Sequence, residues 1–235
     1  MKTEKQLKDE LNSFSDLWHG GFRQRIGWET TPRSPFEDFE GIVQKSITPY
    51  VNEKTSVLEI GCGSGFWTYR MLNAKNVICF DALSSEHNKF WKRIPKNDNI
   101  SYVHVEDFSC KDLKDNSIDY VFSYDVFCHI SYSGTEAYLK NLYPKLKDGC
   151  DCFIMIGDMN KFPDDHSRQK HLRVSGCATI EELLNDIDGN PAPGRWYFYG
   201  TNKFCDLLVK YDYTLVSRDV VVHEDSRSPI IHFKK

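Results

Sequence analysis

An apolar strand that runs into three closely spaced glycines and then into a helical pattern leaves a chain few ways to fold. Residues 57–72 read VLEIGCGSGFWTYRML. Gly61, Gly63 and Gly65 permit a tight turn whose bare backbone can lie against a ligand, and a helix is expected directly after it. Four further apolar runs end at or near an acidic residue: VICFD (77–81), ISYVHVED (100–107), IDYVFSYD (118–125) and CFIMIGD (152–158). Together with TSVLEIG (55–61) they read as five strands separated by helices or crossover loops. Near-continuous apolar strands of this kind belong to a parallel sheet covered on both faces. In such a sheet the functional groups gather at the carboxyl ends of the strands.

The glycine spacing narrows the ligand. A dinucleotide fingerprint is G-x-G-x-x-G, with a pyrophosphate on the helix N-terminus. Here the glycines run G-x-G-x-G and Glu59 stands two residues before the first. A carboxylate there repels a pyrophosphate and suits a ligand carrying an ammonium and a sulfonium. Asp81 closes the second strand twenty residues after Gly61, the distance at which an acid takes ribose hydroxyls.

Elsewhere the helices announce themselves. Ser34-Pro35-Phe36-Glu37 is a capping box with proline at the first helical position, and Phe36, Phe39, Val43 and Ile47 recur at helical spacing. A second helix is expected over 135–147, kinked or shortened by Pro144 and stopped by Gly149. KFWKRIPK (89–96) reads as a solvated basic helix face. YTLVSRDVVV (213–222) and PIIHF (229–233) are joined by six polar residues, too few for a crossover helix, so they should pair antiparallel. Residues 1–34 read as an arm or lid and 35–235 as one domain, with 160–199, rich in prolines, charges and aromatics, as an inserted lid or substrate wall rather than core.

Charge and cysteine usage set the class of partner. Thirty basic residues face 34 acidic ones, which leaves no electrostatic footprint for nucleic acid or anionic lipid. No apolar run approaches the ~20 residues a membrane helix needs. The charged start MKTEKQLKDELNSF does not read as a secretion signal, so a cytoplasmic protein is expected. The eight cysteines contain no C-x-x-C pair, and Cys62, Cys79, Cys128, Cys150 and Cys152 lie in or beside strand-like runs, the placement of small buried thiols.

On these residues the chain resembles the class I S-adenosylmethionine-dependent methyltransferases. Glu59 to Gly65 is similar to the family's first motif, Asp81 to its ribose-binding acid, Glu106-Asp107-Phe108 to its adenine-contacting turn and Asp119 to Ile130 to its fourth-strand motif. LYPKLKDG (142–149) resembles the helix end before strand five, with Asp-Gly in place of the common Pro-Gly-Gly. The resemblance implies an α/β Rossmann-like, doubly wound, mostly parallel seven-stranded sheet with an antiparallel strand in its C-terminal hairpin. It implies S-adenosyl-L-methionine as cofactor, with Glu59, Gly61, Cys62, Gly63, Gly65, Phe66, Trp67, Asp81, Ala82, Glu106, Asp107, Phe108 and Asp125 around it, Asp125 having helix capping as its other role. A nicotinamide oxidoreductase is disfavoured by Glu59 and the terminal hairpin.

A sulfonium is already a good leaving group, so the protein has to hold the acceptor in line, exclude water and remove a proton from a hydroxyl. Strand four ends beside the methyl in this family, which makes His129 the candidate base, the alternative being a histidine that satisfies loop backbone. Trp18, Trp28 and Arg33 either close over the site or pack a surface arm. Tyr132, Asp158 and Asn160 are candidate acceptor contacts, and the latter two serve otherwise as loop caps. Lys161, Arg168, Arg173 and Arg195 either meet a phosphate or nucleotide-sugar or are solvated. Some O-methyltransferases of the family hold a metal with an acid after strand four and an adjacent Asp-Asn pair after strand five. Asp125 and Asp158-Met159-Asn160 approach that pattern, but Met159 splits the pair, so no metal ligand is assigned and metal-assisted transfer is kept as an alternative beside a non-catalytic cofactor-binding protein. The absence of a Pro-Pro-aromatic motif after strand four speaks against a flipped-base acceptor. Cys128-His129-Ile130, Asp158 to Phe162 and SPIIHF also resemble bacterial methyltransferases of capsule and surface-polysaccharide synthesis, which implies an oxygen acceptor on a sugar or its phosphorylated precursor.

Overall fold

The computed structural model describes residues 1–17, 39–162, 165–220 and 229–235. Seven strands form one sheet: β1 (Ser56–Ile60), β2 (Asn76–Asp81), β3 (Ile100–His104), β4 (Ile118–Ser123), β5 (Leu146–Met155), β6 (Thr214–Ser217) and β7 (Ile230–Lys234), in the order β3-β2-β1-β4-β5-β7-β6. β1 to β5 are parallel, and β7 runs antiparallel to both β5 and β6. The expected mostly parallel seven-stranded sheet and its terminal antiparallel pairing are both present. The strand order reverses between β1 and β4, so the chain leaves their carboxyl ends in opposite directions and opens a crevice there.

Helices cover both faces: α1 (Glu4–Leu17), α2 (Phe39–Ile42), α3 (Phe90–Arg93), α4 (Tyr132–Leu142), α5 (Asp165–Ser175), α6 (Ile180–Asn185) and α7 (Gly200–Lys210). The two-residue side-chain period of β1 divides the core. Leu58 and Ile60 pack with Phe80, Val121, Ile154 and the residues of α1, α4 and α7. Val57 faces the other cluster, with Val77, Cys79, Tyr120 and Phe122. All eight cysteines are free thiols; Cys62, Cys79, Cys128, Cys150 and Cys152 are buried, as their placement in or beside the apolar runs predicts, and so are Cys110 and Cys205. Among the described residues no helix is long and apolar enough to cross a membrane.

Several local expectations are corrected. The helix expected after the glycine turn is a series of turns closed by a single 3-10 segment, Thr68–Met71. α4 starts at Tyr132, capped by Ser131 Oγ accepting from the Gly134 amide at 3.2 Å, and ends at Leu142. Pro144 sits in a 3-10 turn, Tyr143–Lys145, and β5 begins immediately after it. Gly149, expected as a helix stop, lies within β5 at φ +80°, where the pairing with β4 slips from Ile118↔Leu146 to Tyr120↔Asp151. α2 continues as a π-helical turn, Val43–Ile47, and the capping box at Ser34–Glu37 lies outside the described residues.

The largest correction concerns 160–199. Phe162, Leu172, Leu183, Trp196, Tyr197, Phe198 and Tyr199 are all buried. Trp196 and Phe198 enter one core cluster, Tyr197 and Tyr199 the other. The Tyr197 amide donates to the Cys128 carbonyl at 2.7 Å, which ties the segment to the end of β4. Its aromatics are core, whereas composition alone suggested a lid, because alternate residues in WYFY serve opposite faces.

Candidate functional site

At the carboxyl ends of β1, β2 and β4 lies a cavity of about 340 Å³. Its floor is the glycine turn. The Gly61 and Cys62 amides both donate to the Phe80 carbonyl, at 2.7 and 3.3 Å, which fixes the turn against the end of β2. Gly61 has φ +75°, and a Cβ there would run into the Val126 side chain. Gly65 has φ +85°, and its missing Cβ makes room for Ile94 and Phe90. Gly63 differs: at φ +52° a Cβ would meet nothing, because this residue faces open space. Two glycines therefore serve close packing, and the middle one offers bare backbone to the cavity.

Asp81 brackets the turn. Its Oδ2 accepts the Gly63 amide at 2.8 Å and its Oδ1 accepts the Leu83 amide at 2.9 Å. The Cys62 thiol, 4.0 Å from Oδ2, and the Asn88 side chain also donate to this carboxylate. Burial raises its pKa, opposed by the Leu83 and Gly63 amides. Ala82, Leu83 and Asn88 continue the wall beyond it.

Glu59 does not reach the cavity. It is 1% exposed and lies under the turn, where Oε2 accepts the Thr68 hydroxyl at 2.5 Å and Oε1 is buried with no hydrogen-bond partner. Burial pushes its pKa up to about 8, with the Thr68 hydroxyl opposing and Asp81 adding to the rise. Its place on the strand explains this: Glu59 shares a face with Val57, while Ile60 lines the cavity.

Asp125 and His129 form another side of the cavity. Asp125 sits in the left-handed region, φ +61°, an uncommon and costly conformation for a residue other than glycine. His129, in the short 3-10 turn Phe127–His129, is 8% exposed, and its Nδ1 lies 2.7 Å from the Arg195 carbonyl. A carbonyl only accepts, so Nδ1 carries the proton and Nε2 is the basic nitrogen. Burial lowers the pKa of His129, opposed by the Asp125 charge and the Arg195 carbonyl, so the ring is neutral at pH 7. Cys128 lies beside it, with Sγ 3.7 Å from Asp125 Oδ1, and one ligand atom from each of Asp125, Cys128 and His129 falls within 4.8 Å of the others.

The remaining expected residues lie elsewhere. Cys62, Gly65, Phe66 and Trp67 support the turn from behind, Trp67 packing between Phe122 and Tyr124 at 5.2 and 5.0 Å. Glu106 is exposed, Asp107 accepts from Ser109, and Phe108 supports Tyr138, which does line the cavity, at 4.9 Å. Asp158 caps the 3-10 turn Met159–Lys161 and accepts from the Thr201 amide and hydroxyl at 3.1 and 2.9 Å, so it is a loop cap and is not gathered with Asp125. Asn160 is exposed, and Lys161 pairs with Asp219 at 3.1 Å. Arg195 is buried against Asp186 at 2.5 Å, and Tyr132 donates to the Lys203 carbonyl at 3.3 Å. Arg168 donates to the Phe162 carbonyl at 3.0 Å. Trp18, Trp28 and Arg33 lie outside the described residues.

The N-terminal segment, expected as an arm or lid, supplies a wall through residues that were not singled out. Leu11, Phe14 and Leu17 of α1 line the cavity. The signal was present in Leu7, Leu11 and Phe14 at i, i+4 and i+7, an apolar stripe inside a segment that otherwise reads as charged.

Comparison with known proteins places these features. A family described as a methyltransferase domain matches residues 57–149, from β1 into β5. The chain is 26% identical over 185 residues to O-methyltransferase 3 of Dictyostelium discoideum, covering 74% of this chain and 40% of that protein. The chain thus spans less than half the length of that curated relative. Among solved structures, a Burkholderia thailandensis 1,6-didemethyltoxoflavin-N1-methyltransferase, with its substrate and S-adenosylhomocysteine bound, aligns with a TM-score of 0.63 at 14% identity, covering 100% of this chain and 91% of that one. A Methanosarcina mazei S-adenosylmethionine-dependent methyltransferase aligns with a TM-score of 0.57 at 16% identity, covering 80% and 95%. An Aquifex aeolicus one aligns with 0.56 at 16%, covering 99% and 98%. At these identities the likeness is one of fold.

Proposed function

We propose, on the premise that residues 57–149 carry a methyltransferase domain on the class I S-adenosylmethionine-dependent fold, that this chain transfers a methyl group to an oxygen of a small, carbohydrate-derived acceptor. The observation that carries the cofactor reading is the Asp81–Gly63 bracket on the floor of a cavity at the sheet's switch point. The residues fit the group: Gly63 presents bare backbone to open space, and the Asp81 carboxylate, which only accepts hydrogen bonds when ionised, lines the cavity beside it where ribose hydroxyls would donate. When bound, the cofactor supplies a methyl on a positively charged sulfur. The chain's own work is to hold the acceptor hydroxyl, exclude water and take its proton. His129 takes that proton at Nε2, because the Arg195 carbonyl fixes the hydrogen on Nδ1 and burial keeps the ring neutral.

The name of the Dictyostelium relative favours oxygen as acceptor atom, and the weak resemblance to capsule and polysaccharide enzymes favours a sugar. The charges of the cavity favour an uncharged sugar hydroxyl over a phosphorylated one. Its described lining holds Asp81 and Asp125 and no lysine or arginine, and Lys161 and Arg195 are each paired with an aspartate. The test is calorimetry with S-adenosylmethionine and S-adenosylhomocysteine, followed by mass spectrometry of neutral and phosphorylated sugars incubated with protein and cofactor. A gain of one methyl supports the assignment. Failure of both cofactor forms to bind overturns it.

A second reading is metal-assisted transfer, and the cluster of Asp125, Cys128 and His129 favours it. Its ligand set differs from the Asp158-Asn160 pattern, and thiolate, imidazole and carboxylate together suit zinc better than magnesium. Activity lost in chelator and restored by zinc would support this reading, and full activity in chelator would remove it.

A further inference from the structure

β4 ends in a turn that carries three metal-ligating side chains: Asp125, Cys128 and His129. Each has a fixed backbone. The Asp125 amide donates to the Met155 sulfur at 3.2 Å, the Cys128 carbonyl accepts the Tyr197 amide at 2.7 Å, and the His129 amide donates to the Val126 carbonyl at 2.8 Å. A turn of the 3-10 kind sets residues three apart on one side, which brings Cys128 over Asp125. The Cys128 thiol donates to Asp125 Oδ1 at 3.7 Å, and one ring nitrogen of His129 completes a set of ligand atoms within 4.8 Å of one another. Among the described residues no other three such side chains lie this close.

Spacing and donor type select the ion. A tetrahedral zinc sets a thiolate and a carboxylate oxygen ~3.5 Å apart, and Asp125 and Cys128 already stand near that separation. A thiolate and an imidazole suit zinc, whereas magnesium wants oxygen ligands. His129 is oriented as a metal-bound histidine is: Nδ1 lies 2.7 Å from the Arg195 carbonyl, so the proton stays there and the Nε2 lone pair is offered. Asp125 and His129 line the cavity, which gives the ion its way in. On binding, the Cys128 S–H bond breaks, its proton passes to solvent and a zinc–sulfur bond forms, with no change of oxidation state.

A filled site opposes the chemistry assigned to the cavity. A neutral imidazole has one nitrogen lone pair to give, and the cation takes the one that His129 would use as a base. The ion also neutralises Asp125 and brings two positive charges to a cavity whose cofactor carries a positively charged sulfur. S-adenosylhomocysteine, whose sulfur is neutral, escapes that repulsion.

We propose that Asp125, Cys128 and His129 form an inhibitory zinc site that, when filled, discriminates against S-adenosylmethionine and silences the base. This rests on the first reading above, with His129 as the base, and is the opposite of metal-assisted transfer. The probes are zinc alone and cobalt(II) alone, followed by calorimetry of both cofactor forms. The wild-type protein should take up zinc stoichiometrically, and cobalt should give a thiolate-to-metal charge-transfer band. Zinc should weaken S-adenosylmethionine at least about tenfold more than S-adenosylhomocysteine. By linkage, S-adenosylmethionine should weaken zinc by the same factor. With the acceptor that gains a methyl in the test above, zinc should stop transfer and a chelator should restore it.

Cys128→Ser should abolish the cobalt band, lower zinc affinity at least about tenfold and remove the discrimination between the two cofactor forms. Should that variant fail to fold, Asp125→Asn should lower zinc affinity while keeping the band. Cys177→Ser, which replaces the one thiol that is not fully buried, should leave the band and the zinc affinity as they are. Absence of the band, or a band that survives in folded Cys128→Ser, overturns the site. Zinc that binds yet weakens both cofactor forms equally, or that speeds transfer, overturns the inhibition alone. Metal-free protein that binds neither form overturns the cofactor reading, and the cobalt band then still reports on the metal site by itself.

Discussion

Asp81 Oδ2 accepts the Gly63 amide at 2.8 Å, so the acid that ends β2 and the middle glycine of the turn are joined into one unit. Asp81→Ala should thus do two things: remove the acceptor for ribose hydroxyls and free the Gly63 amide. Affinity for S-adenosylhomocysteine should fall by at least about tenfold, since hydrogen bonds to a charged group contribute ~1.5–3 kcal/mol. Calorimetry reads this directly, and equal affinity in the variant would reject the pocket assignment.

The glycines should separate by role. Gly61→Ala meets both an unfavourable φ and the Val126 side chain, and should cost about 2–5 kcal/mol of stability. Gly63→Ala meets only the unfavourable φ, at about 1–2 kcal/mol, but places a methyl group toward the cavity. Urea denaturation should find Gly61→Ala the less stable of the two. Calorimetry should find Gly63→Ala impaired in cofactor binding although it is folded.

Glu59 makes stability depend on pH. Its folded pKa, about 8, lies above the ordinary 4.5, so between these values the folded chain holds a proton that the unfolded chain releases. Stability is therefore fully present below about pH 4.5 and lost as pH rises toward 8, by on the order of a few kcal/mol. Glu59→Gln cannot titrate and should flatten that slope. Parallel stability–pH curves for the two proteins over pH 5.5–8.5 would contradict the buried, protonated carboxyl.

For His129 the sign is opposite. Burial lowers its pKa below 6.5, and the Asp125 carboxylate limits the fall. Asp125→Asn should move the midpoint lower still, as followed by NMR titration of the imidazole. A wild-type midpoint at or above 6.5 would show that the ring is more hydrated than the structure has it. His129→Gln should bind S-adenosylhomocysteine as the wild type does while losing methyl transfer.

Asp158→Ala should lower stability by about 1–2 kcal/mol, because the carboxylate caps a turn and receives both donors of Thr201. Cofactor affinity should not change, since Asp158 does not line the cavity. A large loss of affinity without loss of stability would restore it to the site.

The sequence by itself determined what local chemistry dictates. Near-continuous apolar runs gave five parallel strands, the short polar link gave the antiparallel end, and the positive φ that only glycine adopts cheaply marked the turn between Gly61 and Gly65. Asp81 was legible because its distance from Gly61 follows from one strand–turn–strand unit. Tertiary structure decided everything that depends on which face meets which. Glu59 is one residue from the cavity-lining Ile60, yet the pleat sends it the other way. Asp158 resembled a site acid until Thr201, 43 residues on, claimed it. The WYFY aromatics looked like a lid until both core clusters took them. A residue's backbone preference is written in its own side chain, but its partner is chosen only when the chain closes around it.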